Sequence, residues 1–178
     1  MLLKPNDQWC WFVGADRHLM LDLGEEMLFA TPYLQNKLIC ADNLRQSFSV
    51  EDTGLYYAFL DKLSCVATPS RRVQAALNGV AVARFYKPLM PQSWFFEPQA
   101  DYHQPQLGEL IGLDCGERHL TMMVVETSPS TSLCISLSAD VVLNDSKTLP
   151  VFGAIKVMND RLFSLEPAHG MEEMRRVG

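Results

Sequence analysis

Two prolines three residues apart, in the run Lys87-Pro88-Leu89-Met90-Pro91, constrain this chain more than any other feature. Proline disfavours the αR region for the residue before it, so Lys87 and Met90 are pushed toward extended backbone and no helix passes through. The patterns on either side differ. Before the prolines lie helix-length apolar stripes; after them lie short β-like runs separated by polar or Gly/Pro-containing breaks. The run is therefore expected to be a stiff connector. Residues 1–90 would form an N-terminal α/β domain and residues 91–164 a small, twisted, β-barrel-like domain, an α+β fold overall. Residues 165–178 include Pro167 and Gly170, with mixed charge and few apolar anchors. They are expected to be a flexible tail, with a short helix at 172–176 as the alternative.

Local patterns fill in this outline. Alternation over 8–13, 18–23 and 27–29, with polar or Gly-containing turns between, predicts a three-stranded antiparallel meander. Thr31-Pro32 reads as an N-cap followed by proline at the first helical position, opening a short helix toward Ile39. Ser49 and Asp52 form a capping box with Asp in place of the usual Glu, ahead of a helix carrying Leu55, Tyr56, Phe59, Leu60 and Leu63. Thr68-Pro69 launches a second helix to about Phe85. Val73, Leu77, Val80 and Ala81 mark its buried face, and Ala75, Ala76, Gly79 and Ala83 allow a close neighbour. Beyond the connector, strands are expected at 93–97, 107–113, 120–126, 133–138 and 141–143. Ile155, Met158 and Leu162 return to helical spacing, which predicts a helix over 152–162.

Composition excludes several functions. With 15 basic and 21 acidic side chains the net charge is -6, and binding nucleic acid needs clustered cations to displace counterions. An apolar share of 48% supplies a core. No apolar run is long enough for a membrane span, and the opening residues lack a signal-like stretch. Five scattered cysteines without a C-x-x-C pair point to free thiols in a reducing cytoplasm, not to a disulfide framework or a thiolate zinc site. No metal or cofactor is expected. The phosphate-loop, dinucleotide, nucleophile-elbow and zinc-protease motifs are absent.

Three small clusters have plainer readings. His18 with Asp16 and Asp22 fits a polar strand face. Ser70-Arg71-Arg72 could meet an anion at a helix start, but cations there oppose the helix dipole, so a solvated face is the reading. Cys115 and His119, within Asp114-Cys115-Gly116-Glu117-Arg118-His119, read as a charged hairpin turn. They nevertheless define the rival hypothesis, a small-molecule-binding protein or enzyme with a pocket beside that pair. An adaptor for some other partner is a third.

The aromatic residues carry two readings. Tyr56 and Tyr57 lie about 100° apart on a helix and cannot both face the core. Phe85 and Tyr86 present the same conflict, with Arg84 beside them. The plain reading is rim residues whose hydroxyls reach water; the sharper one is an aromatic and basic recognition surface at the end of the 69–86 helix, since Trp, Tyr and Arg are common interface anchors.

Particular phrases then carry a resemblance. Lys4-Pro5, Trp9-Cys10-Trp11, Met20-Leu21-Asp22-Leu23, Met27-Leu28-Phe29, Lys87-Pro88-Leu89-Met90-Pro91-Gln92-Ser93-Trp94, Val124-Val125-Glu126 and Ile155-Lys156-Val157-Met158-Asn159-Asp160-Arg161-Leu162 occur in this order. Together they resemble the ZapC family of bacterial cell-division proteins over residues 1 to about 162. The resemblance implies a cytoplasmic, non-enzymatic factor at the division site that binds the tubulin-like GTPase FtsZ. Such a factor would bundle FtsZ filaments laterally, stabilise the ring and lower GTP turnover. It also implies a partner surface around Leu21, Tyr57 and Lys87, which Arg84, Pro88 and Trp94 extend. Gln92 stands where the family pattern has Lys, leaving Arg84 and Lys87 to carry more of the basic rim. The implied partner is acidic, so an acidic chain must use a shaped, apolar contact with a few local cations. Bridging two filaments needs self-association or two surfaces; a monomer with one surface on each domain is expected, held at a fixed angle by the connector.

Overall fold

A computed structural model describes residues 2–64 and 68–165. The expected tail from Glu166 onward lies outside the described residues. The fold is α+β, as the sequence patterns imply.

The meander forms as β1 (Cys10–Val13), β2 (His18–Asp22) and β3 (Leu28–Leu34), and β4 (Arg45–Ser47) adds a fourth strand beside β1. The antiparallel order is β3-β2-β1-β4, with Trp11 opposite Leu21. The short helix expected from Thr31-Pro32 does not form. Both residues lie inside β3, where the Thr31 hydroxyl donates to Leu19 O at 2.8 Å instead of capping a helix. An edge strand tolerates proline, and only a 3-10 turn at Gln35–Lys37 follows.

Both long helices start as read. In α1 (Val50–Lys62), Ser49 Oγ accepts from Asp52 N at 3.1 Å and Asp52 Oδ2 accepts from Ser49 N at 2.9 Å, a complete capping box. In α2 (Pro69–Phe85), Thr68 Oγ1 accepts from Arg71 N. Helix α2 is buried continuously from Ala75 to Val82. Its small residues explain why: a Cβ on Gly79 would stand 2.8 Å from Met123 and 2.9 Å from Phe59, so α2 is wedged between α1 and the second sheet.

That sheet contains β5 (Leu110–Asp114), β6 (His119–Thr127) and β7 (Thr131–Ser136). After the separate ribbon of β8 (Val141–Asn144) and β9 (Lys147–Leu149), it is completed by β10 (Ala154–Met158) and β11 (Leu162–Ser164). The order is β10-β7-β6-β5-β11. If flat, four spacings of about 4.8 Å would set the outer strands about 19 Å apart. Only the three residues Asn159–Arg161 join them, a reach of about 14 Å even when extended, so the sheet must curl toward a barrel. The helix expected over 152–162 is thus strand, turn and strand. Ile155 and Val157 alternate inward, and this two-residue period outweighs the helical spacing of Ile155, Met158 and Leu162. The strand expected at 93–97 is likewise a 3-10 turn, Ser93–Phe95.

Strands β6 and β7 are buried on both faces and divide two cores. Met123, Val125, Leu133 and Ile135 face the core that also holds Trp11, Leu21, Phe59 and Leu77. Met122, Val124 and Cys134 face the second, with Ile111, Leu113 and Val157. The first core therefore draws side chains from both sides of the proline run.

Candidate partner-binding surface

The six residues singled out in the sequence fall into different environments. Leu21 is 0% exposed, on the inner face of β2. A side chain with no surface cannot touch a partner, so Leu21 acts through packing. Tyr57 is 48% exposed on α1, its ring edge-on to Tyr56 at 5.5 Å. Tyr56 takes the inward position, and its hydroxyl donates to Leu3 O at 2.8 Å.

Arg84 is not a free cation. Its Nη1 stands 3.1 Å from Asp52 Oδ1 and donates to Ser49 Oγ at 3.0 Å, and its guanidinium lies 5.4 Å from the Phe85 ring. Asp52 is fully buried and also accepts from Trp11 Nε1 at 3.1 Å. The guanidinium neutralises this carboxylate, and the Arg84 side chain stays 22% exposed.

Lys87 and Pro88 are exposed where α2 ends. Lys87 Nζ donates to Asn36 O at 3.0 Å and its backbone N–H to Lys37 O at 2.9 Å. Beside it a shallow groove includes Arg17, Gln35, Cys40 and Asp42. Burial pushes the Cys40 thiol up from its ordinary value, Asp42 adds to the rise, and Lys87 opposes it.

The connector is anchored at both ends, and while Leu89 packs against the first core, Met90 points outward. Gln92 N donates to Lys156 O at 2.8 Å, Ser93 Oγ accepts from Met158 N at 2.8 Å, and Arg161 Nε donates to Ser93 O at 3.3 Å. Between these anchors and Lys87, Met90 is 81% exposed; Trp94, just past them, is 70% exposed with its ring against Phe95. Met90 was missed as a surface residue in the sequence. Its signal was its place between two prolines, which hold it extended and off any helix face.

Among the described residues, Cys115 and His119 each have a structural partner. Cys115 Sγ donates weakly to Arg118 O at 3.5 Å, Cys115 N bonds the same carbonyl at 3.0 Å, and Gly116 takes φ +91° in the hairpin from β5 to β6. The His119 ring packs edge-on against Phe163. Asp16 Oδ1 accepts from His18 N and Asp22 Oδ1 from Gly24 N, so both carboxylates shape turns. Arg71 Nη2 donates to Leu137 O at 3.2 Å and lies over the Phe152 ring, linking α2 to the second half rather than serving an anion.

Taken together, fold and surface define an α+β protein with two cores on one curled sheet and a fixed, apolar connector on its outside. Residues 2–87 match the family model described as cell-division protein ZapC, N-terminal, and residues 88–168 match cell-division protein ZapC, C-terminal. A cell division protein ZapC from Aeromonas hydrophila is 42% identical over 91% of this chain and 92% of its own length. One from Shewanella woodyi is 41% identical over 93% of each, and one from Vibrio vulnificus is 35% identical over 99% and 100%. The chain belongs to the ZapC family of cell-division proteins. Its role is in cell division, and the family is not one of enzymes by name. Among the described residues no helix is long and apolar enough to cross a membrane.

Proposed function

We propose that the protein binds FtsZ polymers through the connector and acts at the division ring in the cytoplasm, without chemistry of its own. One observation carries this reading. The most exposed large apolar side chains near the sequence-predicted surface, Met90 and Trp94, sit on a backbone tied down at both ends and led by the exposed Lys87. An anchored segment loses little freedom on docking, and a buried aromatic anchor with a cation at its rim is a common hot-spot arrangement. The resemblance supplies the partner's identity, and an acidic partner suits Lys87 better than it suits this chain as a whole.

Bundling follows from linkage. A ligand that binds assembled filaments better than free subunits stabilises the assembled state, and slower subunit exchange lowers GTP turnover. Bridging two filaments takes a second contact on the same monomer or self-association; the single-molecule, two-contact arrangement is the simpler. Cutting the chain at residue 90 does not test it, because Met123, Val125 and Ile135 belong to the first core. Point variants do. Lys87→Glu should abolish co-sedimentation with FtsZ polymers at unchanged melting temperature, and unchanged pelleting would remove Lys87 from the contact.

A further inference from the structure

Strand β3 ends its sheet: among the described residues its one strand partner is β2. A groove of about 440 Å³ runs beside it, with residues 28–32 on one wall and Gln74, Asn78, Val151 and Phe152 on the other. Side chains alternate along a strand, so a groove over one face would be lined by every second residue. Five consecutive residues place it along the backbone edge instead. The Tyr33 hydroxyl donates to Phe152 O at 2.6 Å and holds the far wall at the reach of a tyrosine side chain, not in ladder contact.

Two independent features point to a ligand. Asn78 is 2% exposed and lines the groove, yet its Oδ1 has no donor among the described residues. A buried acceptor left unpaired is costly, and a donor arriving along the groove would relieve it. The second feature is charge. Among the described residues no carboxylate lines this groove or the neighbouring cavity that shares Pro32 with it, and Lys37 and Lys147 line that cavity. In a chain of net charge -6 this stretch is locally positive.

We propose that a partner protein docks here by strand addition. An extended segment, acidic overall and apolar at alternate residues, pairs with the β3 edge over residues 28–31. It donates a hydrogen bond to Asn78 Oδ1 and directs its acidic end to Lys37 and Lys147. Main-chain bonds supply affinity and the alternating side chains supply selectivity. Pro32 has no N–H to offer, so the ladder stops there and β3 is guarded against open-ended pairing with its own copies. The site adjoins the connector at Lys37, whose O accepts from Lys87 N at 2.9 Å, but its pairing edge over residues 28–31 lies on β3, outside the connector.

A random dodecapeptide library displayed on phage and panned on the full chain tests this. The enriched peptides should be acidic with alternating apolar residues, and when added as synthetic peptides they should slow amide exchange within residues 28–31 about tenfold or more. Lys37→Glu with Lys147→Glu should weaken them about tenfold, and Asn78→Ala several-fold, with the melting temperature of the lysine variant unchanged. No enriched family, enrichment of basic peptides, or protection elsewhere would overturn the proposal. So would a concentration-dependent dimer protecting the same amides, because a second copy would then be the occupant.

Discussion

Arg84 Nη1 stands 3.1 Å from Asp52 Oδ1, and this pair joins the C-terminal turn of α2 to the first turn of α1. The carboxylate is fully buried, and its other oxygen accepts from Trp11 of β1 and from the Ser49 backbone. The Arg84 approach is an ion pair outside hydrogen-bond alignment, while the guanidinium's aligned bond goes to Ser49 Oγ. One charge pair thus fixes two helices and a strand.

Removing Arg84 should therefore cost stability before it costs binding. Arg84→Ala leaves a buried carboxylate without its counter-charge, and with the arginine partly exposed we expect a loss of about 2–3 kcal/mol. Urea unfolding measures it. A fall in FtsZ co-sedimentation at a temperature where the variant remains folded would place Arg84 on the contact surface.

Leu21 makes the complementary case. Truncation to alanine in a filled core costs about 2–5 kcal/mol, and at 0% exposure the residue has no other way to act. Leu21→Ala should melt earlier and, below its melting transition, pellet with filaments as wild type does. Reduced pelleting of the folded variant would show that packing beneath the surface shapes the contact.

Two helical glycines should respond with opposite signs. A methyl group added at Gly54 on α1 would meet nothing within 4 Å, so Gly54→Ala should stabilise by about 0.5–1 kcal/mol through helix propensity alone. At Gly79 the same gain is opposed by Phe59 at 2.9 Å and Met123 at 2.8 Å. Overpacking of about 1–3 kcal/mol should leave Gly79→Ala net destabilised. Thermal melts of both variants decide it.

Alkaline pH should unfold the protein earlier than its surface charge suggests. Burial pushes the Cys134 thiol from 9.0 to about 12 and the Tyr56 hydroxyl from 10.0 to about 12, and it raises the Tyr33 hydroxyl well above 10.0. These groups keep their protons in the folded state and lose them in the unfolded one. Their stabilisation is therefore complete below about pH 9 and is lost as pH rises toward 12, because the native state binds more protons across that window. Cys134→Ala should flatten the fall that begins near pH 9 in a pH series of urea titrations; an unchanged slope would contradict it.

Much of this architecture was legible because the signals were local. The Ser49 capping box and the Thr68-Pro69 start depend on neighbours within three residues, and both formed. Thr31-Pro32 carries the same letters, but pairing with β2 gave the Thr31 hydroxyl a better acceptor in Leu19 O. The run 152–162 misled because Ile155, Met158 and Leu162 fall at helical spacing while Ile155 and Val157 fall at strand spacing, and only pairing of β10 with β7 decides between them. The surface was harder to read. Nothing local distinguishes Arg84, committed to a carboxylate 32 positions earlier, from a free cation, nor Leu21 buried from Leu21 exposed. Long-range pairing made those distinctions.

The most direct test replaces Met90 and Trp94 together by serine and follows light scattering and phosphate release with FtsZ and GTP. Both side chains are largely solvent-exposed, so the fold should survive and the melting temperature should hold. The account predicts that bundling is lost and that GTP turnover returns to that of FtsZ alone. Bundling and slowed turnover undiminished in this folded variant would contradict it.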